Sequence, residues 1–359
     1  MNKKEPYTQA EAVQIKTHDK ERYDSLFGYM NFPYCYTDEE IQHDMKSKEG
    51  ANVGLLCIKS ANNVMTQPCD TPKPSPLWKN LWHKNELCCL FSDSNLGKSI
   101  YATQIANEIA KKEPVLYFDF ELTDGQFKDR YTDHNTGRPC TFSNNLYRVT
   151  NRNDYRYMEP YRNLLIDNIK DAADRTGAKV IIIDNLAFLS NSSHHAPSPI
   201  KIMRQLISFK HLYNLSILVV AHTPKRNLST PLTQNNLAGT KDLLNFFDSA
   251  FAIGQSAKDE NVRYIKQIKS RQGIITNGID NVITCTISKE RGMLTFTPTG
   301  TTDEHTLLAP YSPTQHATLI AQAKQLHHDG ISNRQIAITL GISEGIIRKW
   351  LKPQPNTKN

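Results

Sequence analysis

The chain lacks the features of a membrane-bound or disulfide-built protein. Its apolar runs, Val180–Ile183 and Ile217–Ala221 among them, fall far short of the about 20 residues that cross a bilayer. The first residues, MNKKEPYTQAEAVQIK, have no apolar core of the kind a secretory leader needs. Cysteine is sparse and badly spaced for a framework. The count of seven is odd, no C-x-x-C pair occurs, and no Cys/His cluster has zinc spacing. Reduced thiols in a cytoplasmic protein with no membrane partner are the expectation. No internal repeat at solenoid period is present.

What is present suffices for a sizeable core. The 359 residues are 38% hydrophobic and 22% charged, which suggests two or three domains. A net charge of +7 permits a polyanionic partner without demanding one.

Texture divides the chain. Residues 1–66 are polar and carry no recognisable chemistry. Within them Thr37-Asp-Glu-Glu40 reads as a capping box opening a helix to about Lys48. Four prolines in residues 67–76 make an extended linker. From 77 to 300, short apolar runs (Leu87–Phe91, Val115–Phe120, Val180–Ile183, Ile217–Ala221, Ala250–Ile253) alternate with helical stretches at 98–111, 159–175 and 199–213. That alternation predicts a parallel α/β sheet. Arg263–Ser288 alternates like hairpin strands. Residues 129–163, rich in Tyr, Arg and Asn, read as a long loop or insertion, and 301–312 as a second linker. Residues 313–353 read as a small all-α unit.

Ser92-Asp-Ser94-Asn95-Leu96-Gly97-Lys98-Ser99 lies between a strand and a helix. A phosphate-binding loop needs that context, because backbone N–H groups then converge on the phosphate at the positive end of the helix. Ser94, Asn95, Leu96, Gly97, Lys98 and Ser99 are the candidate ATP-binding residues. Lys98 would reach the β/γ oxygens and the Ser99 hydroxyl would bind Mg²⁺. Two features depart from the usual loop. Ser92 stands where a glycine is normal, and Asp93 puts a negative charge beside phosphate unless it turns outward.

Four further features complete the pattern. Glu121 follows the second strand, where water would attack the γ-phosphate, and is the candidate for polarising it. The other reading is a glutamate favoured by the helix that follows. Asp184 ends the buried run Val180–Ile183 and would hold the Mg²⁺ shell. His222 ends another buried strand, either sensing the γ-phosphate or contacting the next loop. Lys269 and Arg271, two apart on a strand, share a face. They suit a phosphate held by a neighbouring subunit, or else form a solvated basic edge.

In this order the elements resemble the RecA-like hexameric helicases of the DnaB and plasmid RepA groups, over about residues 77–295. Phe118-Asp-Phe-Glu121-Leu, Gln126-Phe and Arg130 look like the glutamate strand and following helix of the DnaB group. Lys269-x-Arg271-x-Gly273 is similar to its trans-acting strand. Ala221-His222-Thr223-Pro-Lys225 resembles the RepA variant. Leu237-Ala-Gly239-Thr-Lys and Phe247-Asp248-Ser-Ala look like the segment after that sensor. The resemblance implies Mg-ATP on Lys98 and Ser99, water activation by Glu121, a metal shell on Asp184, and Lys269 and Arg271 serving the adjacent subunit of a homo-hexamer. It points to mobile-element replication or transfer. No primase-interacting helical domain is recognisable in the N-terminal region.

At the C-terminus, Ser332-x-x-Gln335 reads as a capping box, Gly341 as a turn, and Ser343 as the cap of a second helix stopped by Pro353. Ile336, Ala337, Leu340, Ile342, Ile347 and Leu351 face inward. With a helix over about 313–328, this resembles the helix-turn-helix of resolvases and transposases. Residues 311–359 carry six cations against two acids, a net +4, which suits phosphate contact. Arg334, Glu344, Arg348, Lys349 and Lys352 are the candidate duplex-DNA contacts. A protein-docking hairpin is the alternative.

Three functional readings follow: an ATP-driven motor on DNA, a DNA-bound ATP switch that recruits a recombinase or replication protein, and a RadA- or KaiC-like ATPase. The Tyr/Arg stretch 129–163 could stack single-stranded bases, though a structured surface insertion explains it better.

Overall fold

The computed structural model describes residues 9–19, 21–22, 52–53, 56–66, 75–150, 165–185, 199–223, 227–237, 243–310, 313–342 and 344–351. The chain divides into two compact units, Met1–Pro72 and Lys73–Asn359. In the first, helix α1 (Gln9–His18) is followed by β1 (Asn52–Val53) and β2 (Leu56–Cys57), which pair antiparallel, and then by α2 (Ala61–Thr66). The helix expected from Thr37 lies outside the described residues, as do residues 67–74 of the proline linker.

The second unit opens with a short ribbon, β3 (Pro76–Trp78) against β4 (Trp82–His83). Then come β5 (Leu87–Ser92), α3 (Lys98–Ala110), β6 (Val115–Asp119), α4 (Asp124–Arg130), β7 (Thr132–Asp133), β8 (Arg138–Pro139) and β9 (Leu146–Val149). They are followed by α5 (Leu165–Thr176), β10 (Val180–Asp184), α6 (Pro199–Tyr213), β11 (Ser216–His222), α7 (Leu243–Phe246), β12 (Ser249–Gln255), β13 (Val262–Ser270), β14 (Val282–Glu290) and β15 (Met293–Thr302).

One nine-stranded sheet carries the fold, in the order β15-β14-β13-β12-β5-β11-β10-β6-β9. The strands from β12 through β9 run parallel; β13, β14 and β15 continue antiparallel. The runs that read as continuously apolar are buried on both faces, as a sheet covered on two sides requires. On one face Leu87, Cys89, Ile181, Ile183, Ile217 and Val219 pack on α5 and α6 through Ile169, Met203, Leu206 and Phe209. On the other, Cys88, Leu90, Ile182, Leu218 and Val220 pack on α3 through Tyr101, Ala102, Ile105 and Ile109.

The β14–β15 hairpin folds against α3. The Gln104 side chain accepts from Phe296 N at 2.8 Å and donates to Phe296 O at 3.2 Å. The Phe296 ring lies 5.0 Å from that of Tyr101.

Two boundaries differ from the sequence reading. Residues 129–163 are not a featureless insertion in their described part. α4 runs to Arg130, and Leu146–Val149 is the outer strand of the main sheet, parallel to β6. A four-residue edge strand, half-exposed, carries too little apolar signal to be seen. The second linker also begins later than 301. Thr301 and Thr302 complete β15, and a 3₁₀ turn, Glu304–Leu307, follows with Glu304 fully buried. Its polar composition reads as a linker, but the carboxylate is buried because Lys266 pairs with it.

Three helices close the chain: α8 (Pro313–His328), α9 (Asn333–Leu340) and α10 (Glu344–Leu351). The Ser332 hydroxyl accepts from Gln335 N at 3.3 Å, and Gly341 takes a left-handed φ of 65° between α9 and α10. Ala323, Ile336, Ala337, Ile342 and Ile347 form their core, with Leu340, Trp350 and Leu351 against it. Among the described residues no helix is long and apolar enough to cross a membrane.

Candidate active site

The site lies at the carboxyl ends of β5, β6, β10 and β11. β5 and β10 are not neighbours, because β11 runs between them. A crevice therefore opens at the strand ends, where open α/β sheets bind ligands.

The loop from Ser92 turns into α3 through two left-handed residues, Asn95 at φ 64° and Gly97 at φ 90°. Asparagine tolerates that region. At Gly97 space also decides, since a Cβ there would stand 2.9 Å from the Phe296 ring and 3.0 Å from Ile287. Leu96 is buried and anchors the loop, while Ser94 and Asn95 are exposed. The Lys98 ammonium, buried under the loop, donates to Ser92 O at 3.0 Å, Asp93 O at 2.9 Å and Ser92 Oγ at 3.3 Å. Burial lowers its pKa, and the opposing charges are Asp184, Glu121 and Asp93. Asp93 turns aside: its carboxylate accepts from the Thr223 hydroxyl just beyond β11. Ser92, fully buried, closes its own hydroxyl onto Asp93 O at 2.8 Å.

Asp184 is 3% exposed. The Tyr117 hydroxyl donates to its Oδ2 at 2.7 Å, and Ser99 hydrogen-bonds it from α3. Burial, partly offset by those two donors, pushes its pKa up to about 6. A hydroxyl, a buried carboxylate and a lysine at a helix N-terminus suit Mg²⁺ with a phosphate chain, because Mg²⁺ takes few protein ligands beside phosphate oxygens and waters. Among the described residues no cluster of three or more His, Cys, Asp or Glu could hold a metal unaided, and this mode needs none.

Glu121 stands on the turn between β6 and α4. The Asn185 amide donates to Glu121 Oε1 and lies 3.2 Å from His222 Nε2, which is 3.5 Å from the same carboxylate oxygen. Glu121 is half-exposed, so it can face solvent and a phosphate together. The nearby Asp119 cannot take that part. It is buried, with one oxygen on Arg148 Nε at 2.9 Å and the other on the amides of Glu121 and Leu122. The structure thus brings Lys98, Ser99, Asp184, Glu121 and His222 together. It adds Asn185, Tyr117 and Thr223, to which the sequence assigns no role in the site. Asn185 directly follows Asp184, but an asparagine after a strand is commonplace. The Tyr117 contact spans 67 residues of chain.

Lys269 and Arg271 lie elsewhere. Ser270 pairs with Ser249 at the start of β12, and Asp248 just before it binds Leu87 N at the start of β5. Arg271 therefore stands at the end of the sheet opposite the phosphate loop, ~17 Å away along the six residues of β5, while Lys269 is level with Cys89, ~10 Å along the strand from Ser92. Arg271, just past the strand end, pairs with Asp248 at 2.7 Å, and Lys210 holds the other Asp248 oxygen at 2.7 Å. Lys269 donates to Leu244 O at 2.9 Å, and burial and Arg271 lower its pKa.

On the C-terminal helices, Arg334, Arg348 and Lys349 are exposed, and Arg348 pairs with the half-buried Glu344 at 2.6 Å. Lys352 and Ser343 lie outside the described residues. A cleft of about 790 Å³, lined in part by Thr233, Gln267, His305, Arg334 and Glu344, separates this unit from the sheet. In the 129–163 stretch Tyr131 is buried and Arg148 is ion-paired, so neither is free to stack a base. Residues 151–163 lie outside the described set.

Residues 60–227 match the family model described as "AAA domain". That span holds the phosphate loop, Glu121, Asp184 and His222, but neither the antiparallel strands β13–β15 of the main sheet nor the C-terminal helices. Among solved structures the chain is similar to a KaiC-like protein from the hyperthermophilic archaeon Pyrococcus horikoshii. The identity is 11% and the TM-score 0.43, over 60% of this chain and 91% of that one. No curated protein matches. The fold is α/β, a large mixed sheet carrying a phosphate loop of the kind ATPase domains use, with a small helical unit after it.

Proposed function

We propose that the chain is an ATP-binding and hydrolysing motor on DNA, similar to the RepA and DnaB helicases, that serves replication or transfer of a bacterial mobile element. The observation that carries this reading is the separation of Arg271 from the phosphate loop. With ~17 Å of sheet between them, Arg271 can meet a γ-phosphate only if a neighbouring copy supplies it, and Lys269 would serve that same phosphate. A closed ring of identical subunits satisfies that requirement at every interface, and a homo-hexamer is the expected form.

Within one subunit the geometry supports one set of roles. Lys98 exchanges its carbonyl partners for β/γ-phosphate oxygens. Ser99 and Asp184 would hold Mg²⁺, which would neutralise phosphate charge when bound. Glu121, backed by Asn185, orients and polarises the attacking water, and His222 reads the γ-phosphate through the same amide. The basic C-terminal helices recruit the ring to duplex DNA through Arg334, Arg348, Lys349 and Lys352, with Glu344 beside them. Single-stranded DNA passes through the ring.

A second reading is a DNA-bound ATP switch that recruits a replication or recombination protein without unwinding. It is favoured by the close approach of the Gly341 turn to Pro231 and Thr233, which a Cβ at this glycine would meet at 3.5 and 3.6 Å, on the segment that follows the His222 strand. That contact would couple the nucleotide site to the DNA-binding helices.

The test is the ATP hydrolysis rate alone, with single-stranded DNA and with duplex, against Lys98→Ala. Strong stimulation by single strands supports the motor. Tight ATP and duplex binding with little turnover in any condition sinks the motor and leaves the switch. Unchanged ATP affinity in Lys98→Ala removes the phosphate-loop assignment itself.

A further inference from the structure

Glu121 has a weak foothold. It sits on the turn Phe120–Thr123, after β6 ends at Asp119 and before α4 begins at Asp124. Its side chain is 45% exposed. A group that aligns a water for in-line attack must be held to about half an ångström, and such a turn does not do this unaided.

The turn is held from the edge strand β9 by one side chain. Arg148 Nε donates to Asp119 Oδ2 at 2.9 Å, before the turn. Its Nη1 donates to Asp124 Oδ1, after the turn, and its Nη2 to Leu122 O, within it. The other Asp119 oxygen accepts from the amides of Glu121 at 3.2 Å and Leu122 at 3.0 Å. The guanidinium lies on the Phe127 ring of α4, 4.6 Å from its centroid. The side chain is 17% exposed, and all three of its nitrogens donate to the turn or its two ends. It is therefore committed to the turn rather than to a phosphate.

We propose that Arg148 is a positioning residue for Glu121. Its planar fork fixes both ends and the middle of the catalytic turn and so aims the carboxylate at the water. Lysine cannot substitute, because one ammonium on a flexible stem reaches one of the three points at a time. The proposal rests on the reading of Glu121 as the water-activating group.

The experiment compares full-length Arg148→Lys, Arg148→Ala, Asp124→Asn and Glu121→Gln. Affinity for a fluorescent ATP analogue is measured beside steady-state hydrolysis. Nucleotide affinity is expected to stay within about threefold in all four, because none touches the phosphate loop. kcat is expected to fall on the order of 100-fold in both Arg148 variants, the scale of an ångström misplacement. It should fall a few-fold in Asp124→Asn, whose side chain is 89% exposed, so that this variant keeps the test open if Arg148→Ala does not fold. Added methylguanidine should restore part of the turnover of Arg148→Ala and none of that of Glu121→Gln. The double variant Arg148→Ala/Glu121→Gln should be no slower than Glu121→Gln alone. Near-wild-type kcat in Arg148→Lys with a dead Glu121→Gln overturns the positioning role. So does a loss confined to nucleotide affinity or melting temperature. Wild-type turnover in Glu121→Gln instead overturns the reading on which the proposal stands.

Discussion

The Tyr117 hydroxyl and the Asp184 carboxylate meet at 2.7 Å inside the sheet, two side chains on adjacent parallel strands paired through Ile182 and Tyr117. Asp184 is a buried acid with two hydroxyl donors, Tyr117 and Ser99, and no cationic hydrogen-bond partner among the described residues. Burial dominates, and its pKa stands near 6 rather than the ordinary 3.8.

That elevation makes stability depend on pH with a definite sign. Between about pH 4 and pH 6 the folded chain holds a proton that the unfolded chain has released, so stability falls as pH rises through this window. The full penalty, about 3 kcal/mol, is present above it. Metal-free protein should therefore gain stability at pH 8 from Asp184→Asn, and the gain should shrink toward pH 4. Chemical denaturation of both proteins across that range measures the difference. A gap that does not change with pH would count against the buried-acid account.

Arg271 belongs to a neighbour's reaction in the proposed ring. Arg271→Ala subunits mixed into wild type should depress ATP hydrolysis more than in proportion to their fraction. Each such subunit silences a wild-type site next door. Linear dilution would mean that Arg271 serves only its own chain, through Asp248.

Glu304, fully buried, accepts from Leu232 N at 2.8 Å and Tyr264 Oη at 2.9 Å and pairs with Lys266. Glu304→Ala leaves the Lys266 ammonium buried without its counter-charge and should cost about 3–5 kcal/mol. The melting temperature should drop by roughly 10 °C. The double change Lys266→Met/Glu304→Leu should recover most of that loss.

The exposed cations of the last helices are expected to bind DNA through phosphates. Arg348→Ala and Lys349→Ala should each weaken duplex binding and reduce the slope of log affinity against log salt by about 1. An unchanged slope in both would favour a protein-docking role for these helices.

The elements legible in the sequence were those whose burial was complete. Val180–Asp184 and Ser216–His222 announce themselves because both faces of a central parallel strand are covered, so the apolar run is continuous. The helix ends at Ser332 and Gly341 were equally plain, since capping and a left-handed turn are local demands on single residues. Leu146–Val149 was not legible, because an edge strand borrows its stability from one neighbour. Glu304 was misread for a related reason: a buried charge has no apolar signature, and Lys266, which permits it, lies 38 residues earlier.

By itself, then, the sequence determined the central strands and the helices between them, the phosphate-loop pattern at Ser92–Ser99, Glu121 and Asp184 as candidate carboxylates, and the three C-terminal helices. Each follows from local periodicity or from residue types at fixed spacing. Only the tertiary structure decided which carboxylate is free to act. Asp119 and Glu121 are two residues apart on one segment, and both stand where an acid could serve. Arg148, from a strand that follows β6 by 27 residues, takes Asp119 out of play and leaves Glu121 facing Asn185 and His222. The choice rests on contacts between distant parts of the chain, which composition and spacing do not encode.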